Sequence, residues 1–252
     1  VGDGNGPVLV LGGTAEGFDL AQRLVGEGVR VITSLAGRVT KPRKPAGEVR
    51  VGGFGGSKGL AEFLVGEGVL AVIDATHPFA AQISANAAVA ARLVGVPLLR
   101  LERPPWRPQP GDRWTYFASV GEAAAFVSER GGRVFLTIGR GGLELFAGIE
   151  RAWFLVRCVE PPTHLPPKSK LVLDRGPFTL AGEEGLIRKH RIDLLVTKES
   201  GGSQTEAKLT AARRLGVEVA VIRRPGPPTG VERVERTEEA VAWLRARLGA
   251  AA

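Results

Sequence analysis

The chain is 252 residues long, 44% hydrophobic and 24% charged, with a formal net charge of +8 and a single cysteine. This is room for one large α/β domain or two small ones; no run of about eighteen apolar residues is present to cross a bilayer, and residues 1–7 lack the apolar centre expected of a signal peptide. Cys158 has no partner for an internal disulfide and no ligand cluster beside it, so it reads as a core thiol of a protein expected in the reducing cytoplasm, with no metal site.

The positive excess is concentrated after residue 125. Aromatics make up 6% of the chain and none interleaves with a basic stretch, as a nucleic-acid stacking platform requires. The expected partner is therefore a small polyanion, not nucleic acid or a membrane.

In chain order, Val8-Leu9-Val10-Leu11 reads as an apolar strand, Gly12-Gly13-Thr14-Ala15-Glu16-Gly17 as a glycine turn, and the run through Leu20 and Leu24 as an amphipathic helix. This opens a nucleotide-binding α/β unit: glycines let the backbone approach a phosphate, and the helix start aims free N–H groups and its dipole at the anion. Against the dinucleotide fingerprint Gly-x-Gly-x-x-Gly, Gly12 and Gly17 fill the outer places and Thr14 stands at the middle one. Phe18-Asp19 after the last glycine excludes the Lys-Ser or Lys-Thr of an NTPase loop. Val29 to Ser34 reads as the second strand, whose end meets the adenosine ribose in such folds. Ser34 and Arg38, with Lys41 and Arg43 beyond and no acid before Glu48, suit a 2′-phosphate and hence NADPH over NADH.

Glu48 to Val51 is a short strand, and the Gly52-Gly53-Phe54-Gly55-Gly56 run after it makes sense where a ligand approaches the backbone. Val69 to Ile73 reads as a buried parallel strand that delivers Asp74-Ala75-Thr76-His77-Pro78-Phe79 to the carboxyl edge, where ligands of such folds bind. The proline fixes the turn that aims His77. A helix from Ala80 to Leu93 and a strand from Val96 to Leu101 complete a first domain, 1–104, followed by a proline-rich linker, 105–112.

The second domain, 113–252, repeats this grammar. Val134 to Ile138 with Gly139-Arg140-Gly141-Gly142 echoes the opening strand and turn. Lys198, Arg213 and Pro225 follow His77, Arg92 and Pro104 by one constant interval, so Leu194 to Lys198, the helix through Arg213 and Val217 to Ile222 fall on counterparts in the first half. A short alternating stretch and a terminal helix follow each Arg-Pro. Lys198 then takes the place of His77, and Ser200-Gly201-Gly202 forms a turn with N–H groups for an anion. The two domains are expected to face one shared ligand cleft. Arg175, on a proline-rigidified turn, suits a carboxylate or a domain-interface ion pair. His164 and His190 read as surface residues.

Taken together, Leu11-Gly12-Gly13-Thr14-Ala15-Glu16, Ser34-Leu35-Ala36-Gly37-Arg38, Gly52-Gly53-Phe54-Gly55-Gly56, Asp74-Ala75-Thr76-His77-Pro78-Phe79-Ala80, Arg175-Gly176-Pro177-Phe178 and Lys198-Glu199-Ser200-Gly201-Gly202 resemble the precorrin-6A reductase family of cobalamin biosynthesis. The resemblance runs in the family's order from about Val8 to about Trp243, and the string from Asp74 is its most specific part. Glu199, where the family usually has asparagine, and Gly141 depart from the pattern.

The resemblance implies an α/β enzyme of two Rossmann-like parallel-sheet domains with a ligand cleft between them, compatible with exchange of a terminal strand. Its activity is reduction of one macrocycle double bond of precorrin-6A to give precorrin-6B, with NADPH as cofactor. It implies that Gly12, Gly13, Thr14, Ala15, Glu16 and Gly17 hold the pyrophosphate and that Ser34 and Arg38 lie near the adenosine end. Asp74 and the Thr76-His77-Pro78-Phe79 turn belong near the nicotinamide, with Gly53 and Gly55 also on the cofactor side. Arg140, Arg175, Lys198, Ser200, Gly201 and Gly202 are expected to face the substrate, whose many carboxylates suit a basic surface. His77 and Lys198 are candidate proton donors for the step that accompanies hydride transfer, beside solvent and the substrate's own acids.

The alternatives are the cobalt-bound substrate of the anaerobic branch and another NADP-dependent reductase of a small polyanion. A short-chain dehydrogenase is disfavoured because Tyr116 has Val120, not lysine, four residues on. An RNA-binding module, the rival from another class, predicts RNA affinity that falls steeply with salt. The oligomeric state is open, and a monomer is compatible with the sequence.

Overall fold

The structure, a computed structural model, describes residues 6–37 and 44–249. Arg38, Lys41 and Arg43, assigned above to a 2′-phosphate, lie outside the described residues. The chain forms two compact units: one takes the chain through Pro104 and again from Pro225, the other runs from Pro105 to Arg224.

The first unit contains β1 (Val8–Leu11), α1 (Ala15–Gly26), β2 (Val31–Leu35), β3 (Glu48–Val51), α2 (Gly56–Gly66), β4 (Ala71–Asp74), α3 (Ala81–Val94) and β5 (Leu98–Leu101). The second contains β6 (Trp114–Phe117), α4 (Val120–Arg130), β7 (Gly132–Leu136), β8 (Ala152–Cys158), β9 (Ser169–Leu173), α5 (Leu180–His190), β10 (Leu194–Lys198), α6 (Ala207–Arg214) and β11 (Glu218–Ile222). β12 (Glu232–Val234) and α7 (Thr237–Gly249) return to the first.

Each unit has a six-stranded parallel sheet, in the orders β3-β2-β1-β4-β5-β12 and β9-β8-β7-β10-β11-β6. This is one doubly wound order used twice, so the internal repeat is real. The sixth strands are exchanged. β6, which follows the first five strands in sequence, pairs with β11 through Val221 and Tyr116, and β12, which follows the second five, pairs with β5 through Glu232 and Leu99. The division that kept 113–252 together is therefore corrected: residues from Pro225 onward join the first unit, because β5 and α1 bury the apolar face of β12 and α7.

Alternation along β1 sends side chains to both faces of the first sheet, which explains why that strand is apolar throughout. Val8 and Val10 meet Leu20, Leu24, Trp243 and Leu244 on one side. Leu9 and Leu11 meet Leu60, Leu64, Ala87 and Ala90 on the other. In the second unit Phe135, Leu155, Leu195 and Val219 pack with Ile187 and Leu209. Cys158 is buried, as expected of a core thiol. His190 is not a surface residue: it is buried at the end of α5, with its ring stacked on Trp153 at 5.5 Å, because the Trp153 face offers an apolar cover that a one-dimensional charge pattern does not reveal. No helix among the described residues is long and apolar enough to cross a membrane.

Candidate functional site

The parallel register sets Leu11 between Ser34 of β2 and Asp74 of β4, so the glycine turn leaves the sheet at its carboxyl edge with these two residues as neighbours. The Gly12 N–H donates to the Ser34 carbonyl at 2.9 Å. A Cβ at Gly12 would stand 2.8 Å from the Thr33 methyl, and one at Gly17 would stand 3.3 Å from the Ala75 Cβ, so both glycines serve close packing. Gly13 differs: its φ is +108° and nothing lies within 4 Å of where a side chain would be.

Thr14 joins this turn to the next strand. Its hydroxyl caps α1 by accepting from the Gly17 N–H at 3.1 Å and donates to the Ala75 carbonyl at 2.7 Å. The Ala15 and Glu16 N–H groups fall in the first helical turn, where no intrahelical acceptor exists. Open space at Gly13 and these two donors fit a phosphate group. Glu16 would oppose an anion there, but its carboxylate lies 3.2 Å from Arg103.

Beyond β4 the chain is held by a buried polar network. Asp74 pairs with Arg100 of β5 at 2.6 Å, both side chains 3% exposed. Asp74 also accepts the Thr76 N–H at 3.0 Å and the Thr76 hydroxyl at 2.7 Å, while Arg100 donates to the Thr76 and Ser84 hydroxyls at 2.9 and 3.0 Å. The turn then closes on His77, whose carbonyl accepts from Ala80 N–H and whose Nδ1 accepts from Phe79 N–H at 3.2 Å. With Nδ1 occupied as an acceptor, the neutral ring carries its proton on Nε2. Asp74 thus shapes the turn through Thr76, and Pro78 lines a cavity of about 150 Å³ together with Arg100 and Glu102.

At the other side of the sheet, Arg50 of β3 lies opposite Ser34. It donates to the Gly52 and Gly53 carbonyls at 2.7 and 2.8 Å and stacks its guanidinium 3.8 Å from the Phe54 ring centre. This clamps the glycine run, with Gly53 and Gly55 exposed at the start of α2. Ser34 is buried.

In the second unit, Lys198 at the end of β10 donates to the Gly141 carbonyl at 3.0 Å, bringing it to the Arg140 turn. Arg140 lies 3.5 Å from Glu160. Ser200 is buried, its hydroxyl 3.3 Å from that of Thr205, and the Gly202 carbonyl accepts from the Trp106 indole at 2.8 Å. Gly201 and Gly202 both have positive φ. Arg175 is exposed on the turn after β9, next to a cis Gly176–Pro177 bond. Sequence reasoning missed Arg157, which pairs with Glu183 at 2.5 Å in the core and stacks 3.6 Å from the Phe178 ring centre, fixing the base of that turn. Tyr116, weighed in the sequence only as a dehydrogenase tyrosine, is half-buried on β6; burial and then the Glu199 charge push its phenol up, so it stays protonated, with Arg223 over its ring at 4.4 Å opposing the shift. Arg100 and Arg157 share a readable signal: each is the only charge inside an apolar strand run. Among the described residues, no group of three or more His, Cys, Asp or Glu side chains could hold a metal ion.

Two doubly wound sheets with a glycine turn and a polar turn at adjacent strand ends define a protein of the Rossmann class, in which ligands bind outside the carboxyl ends of the strands. The family model for precorrin-6x reductase CbiJ/CobK matches residues 7–245. The chain is 52% identical over 239 residues to precorrin-6A reductase of Rhodococcus erythropolis, covering 94% of this chain and 96% of that protein. It is 28% identical over 231 residues to cobalt-precorrin-6A reductase of Priestia megaterium, covering 86% and 90%. A solved structure of CobK precorrin-6A reductase matches with a TM-score of 0.91 at 43% identity, over 96% of this chain and 97% of that one. The chain belongs to the precorrin-6x reductase family CbiJ/CobK, and is an oxidoreductase of cobalamin biosynthesis.

Proposed function

We propose that this reductase uses NADPH to reduce one double bond of the precorrin-6A macrocycle, giving precorrin-6B. The observation that carries the reading is the Thr14 hydroxyl, which ties the glycine turn to the strand end bearing the His77 turn, so that a phosphate-binding element and a polar turn share one sheet edge. A dinucleotide bound there supplies hydride. The chain's own part is to hold its phosphates at Gly13, Ala15 and Glu16, with Ser34 and Arg38 at the ribose, and to keep the Thr76-His77-Pro78-Phe79 turn fixed through Asp74 and Arg100.

Reduction of the macrocycle also requires a proton. His77, through Nε2, is the donor we favour in the first unit, and Lys198 is its counterpart in the second. Arg140, Arg175 and the Ser200-Gly201-Gly202 turn receive the substrate's carboxylates. The cobalt-free substrate is supported by relatives named for it being the more similar, at 52% against 28% identity.

The test is absorbance of the protein mixed with precorrin-6A and either NADPH or NADH, followed at the nucleotide and macrocycle bands. Coupled loss of NADPH and a macrocycle shift is expected, with preference for NADPH lost in Arg38→Ala. A macrocycle that changes only with cobalt inserted moves the enzyme to the anaerobic branch, and no change with either form defeats the reading.

A further inference from the structure

β6 and β11 lie side by side at one border of the second sheet, with Tyr116 opposite Val221 and Phe117 opposite Ile222. The Arg223 N–H donates to the Phe117 carbonyl at 2.9 Å, carrying the ladder one residue past β11. Side chains alternate along a strand, so Arg223 emerges on the face that carries Val221 and Tyr116. There its guanidinium lies 4.4 Å from the Tyr116 ring centre. Stacking holds the flat fork in one orientation and leaves the N–H groups at its edge to an incoming acceptor. Arg223 is exposed and makes no ion pair among the described residues. The Tyr116 hydroxyl makes no hydrogen bond among them, and it is not sealed from solvent.

Two acids stand near this pair, and each is engaged elsewhere. Glu199, just past β10, accepts from the Arg224 N–H at 3.4 Å, and Asp112 lies 3.3 Å from Arg213. Burial, then Glu199, and last Asp112 push the phenol up against the opposing charge of Arg223, so its oxygen keeps a proton to donate. An arginine fork and a phenol O–H held at one spot are donors suited to a single carboxylate. They stand at the carboxyl edge of the sheet, one strand from Lys198, which is in register with Ile222.

We infer that Arg223 and Tyr116 form a further carboxylate subsite of the second unit, which grips one acid side chain of the precorrin-6A macrocycle. The inference rests on the reductase reading above. The pair takes no part in hydride or proton transfer. It holds the substrate and the transition state alike, so its loss raises KM and leaves kcat in place.

The experiment is steady-state kinetics of wild type, Arg223→Gln and Tyr116→Phe, varying precorrin-6A and NADPH in turn, with urea unfolding midpoints of all three proteins. Arg223→Gln is expected to raise KM for precorrin-6A about tenfold, with kcat and KM for NADPH within about twofold of wild type. Tyr116→Phe keeps the ring and its stacking and lacks only the hydroxyl, so a purely structural stack would leave it at wild-type values; a rise of about threefold in the same KM is expected. An unchanged KM for precorrin-6A in Arg223→Gln overturns the subsite, as does an equal rise in KM for NADPH. An unchanged KM in Tyr116→Phe alone overturns the part given to the phenol. Where Arg223→Gln does not fold, Tyr116→Phe decides, and an unchanged KM then overturns the subsite. A wild type that reduces no precorrin-6A defeats the reductase reading itself, and this inference with it.

Discussion

Arg100 shows how much one buried charge can organise. It is almost completely covered and bonds to Asp74, Thr76 and Ser84, residues of one strand end, the turn that follows it and a helix. Replacing it by methionine leaves Asp74 buried and unpaired, which typically costs about 3–5 kcal/mol. Urea unfolding of Arg100→Met should show a loss of that order, and adding Asp74→Asn should recover part of it; additive losses would mean that the pair is not coupled. The same arginine marks where sequence reading stopped. The residues from Asp74 to Phe79 were legible because a short polar string ended an apolar run, whereas the partner that fixes them lies one strand away and is visible only once β4 and β5 are paired. Arg157 was passed over for the same reason, since the Glu183 it pairs with lies far along the chain, whereas Arg50 clamps carbonyls only two and three residues on and was passed over as an ordinary strand charge.

Among the elements, α5 carries a pH-sensitive contact. His190 ends it, buried against Trp153, and burial, then the charges of Lys170, Lys189 and Arg133, hold its imidazole below the ordinary value of 6.5. The folded state therefore binds this proton less readily than the unfolded chain. The contribution is fully present above about pH 6.5 and is lost as pH falls from there through the lower folded value. Unfolding midpoints of wild type should drop more between pH 7 and pH 5 than those of His190→Phe, which keeps the stacked ring without the titration; identical drops would assign the pH dependence elsewhere. Thr14, Ser119 and Thr179 stand at helix starts with their hydroxyls accepting N–H bonds, a local pattern that needs no tertiary partner, yet the helix after Thr179 was not among the expected elements.

Over the whole molecule, the exchange of terminal strands governs what can fold alone. Residues 1–104 lack β12 and α7, and with them Val241, Trp243 and Leu244 from the first unit's core. Large buried side chains contribute roughly 1.5–3 kcal/mol each, so their loss is comparable with a domain's total stability of about 5–15 kcal/mol. A chain of residues 1–104 should show no cooperative urea transition, whereas the same residues joined through a short linker to 225–252 should show one. Cooperative unfolding of 1–104 by itself would make the returning segment dispensable.

The sequence by itself determined the strand, turn and helix grammar of the first unit, the internal repeat, the glycine turn and the family, because each rests on residue types at short spacing: alternation, apolar runs and glycine turns. Only the tertiary structure decided which sheet receives each sixth strand, that His190 is buried, and that Arg100 and Arg157 brace the functional turns. Those outcomes depend on pairings between segments far apart in the chain. Two near-identical sheets offer the same free edge to either terminal strand, so local pattern cannot choose between them; the choice falls to the apolar faces that β12 and α7 bury against β5 and α1.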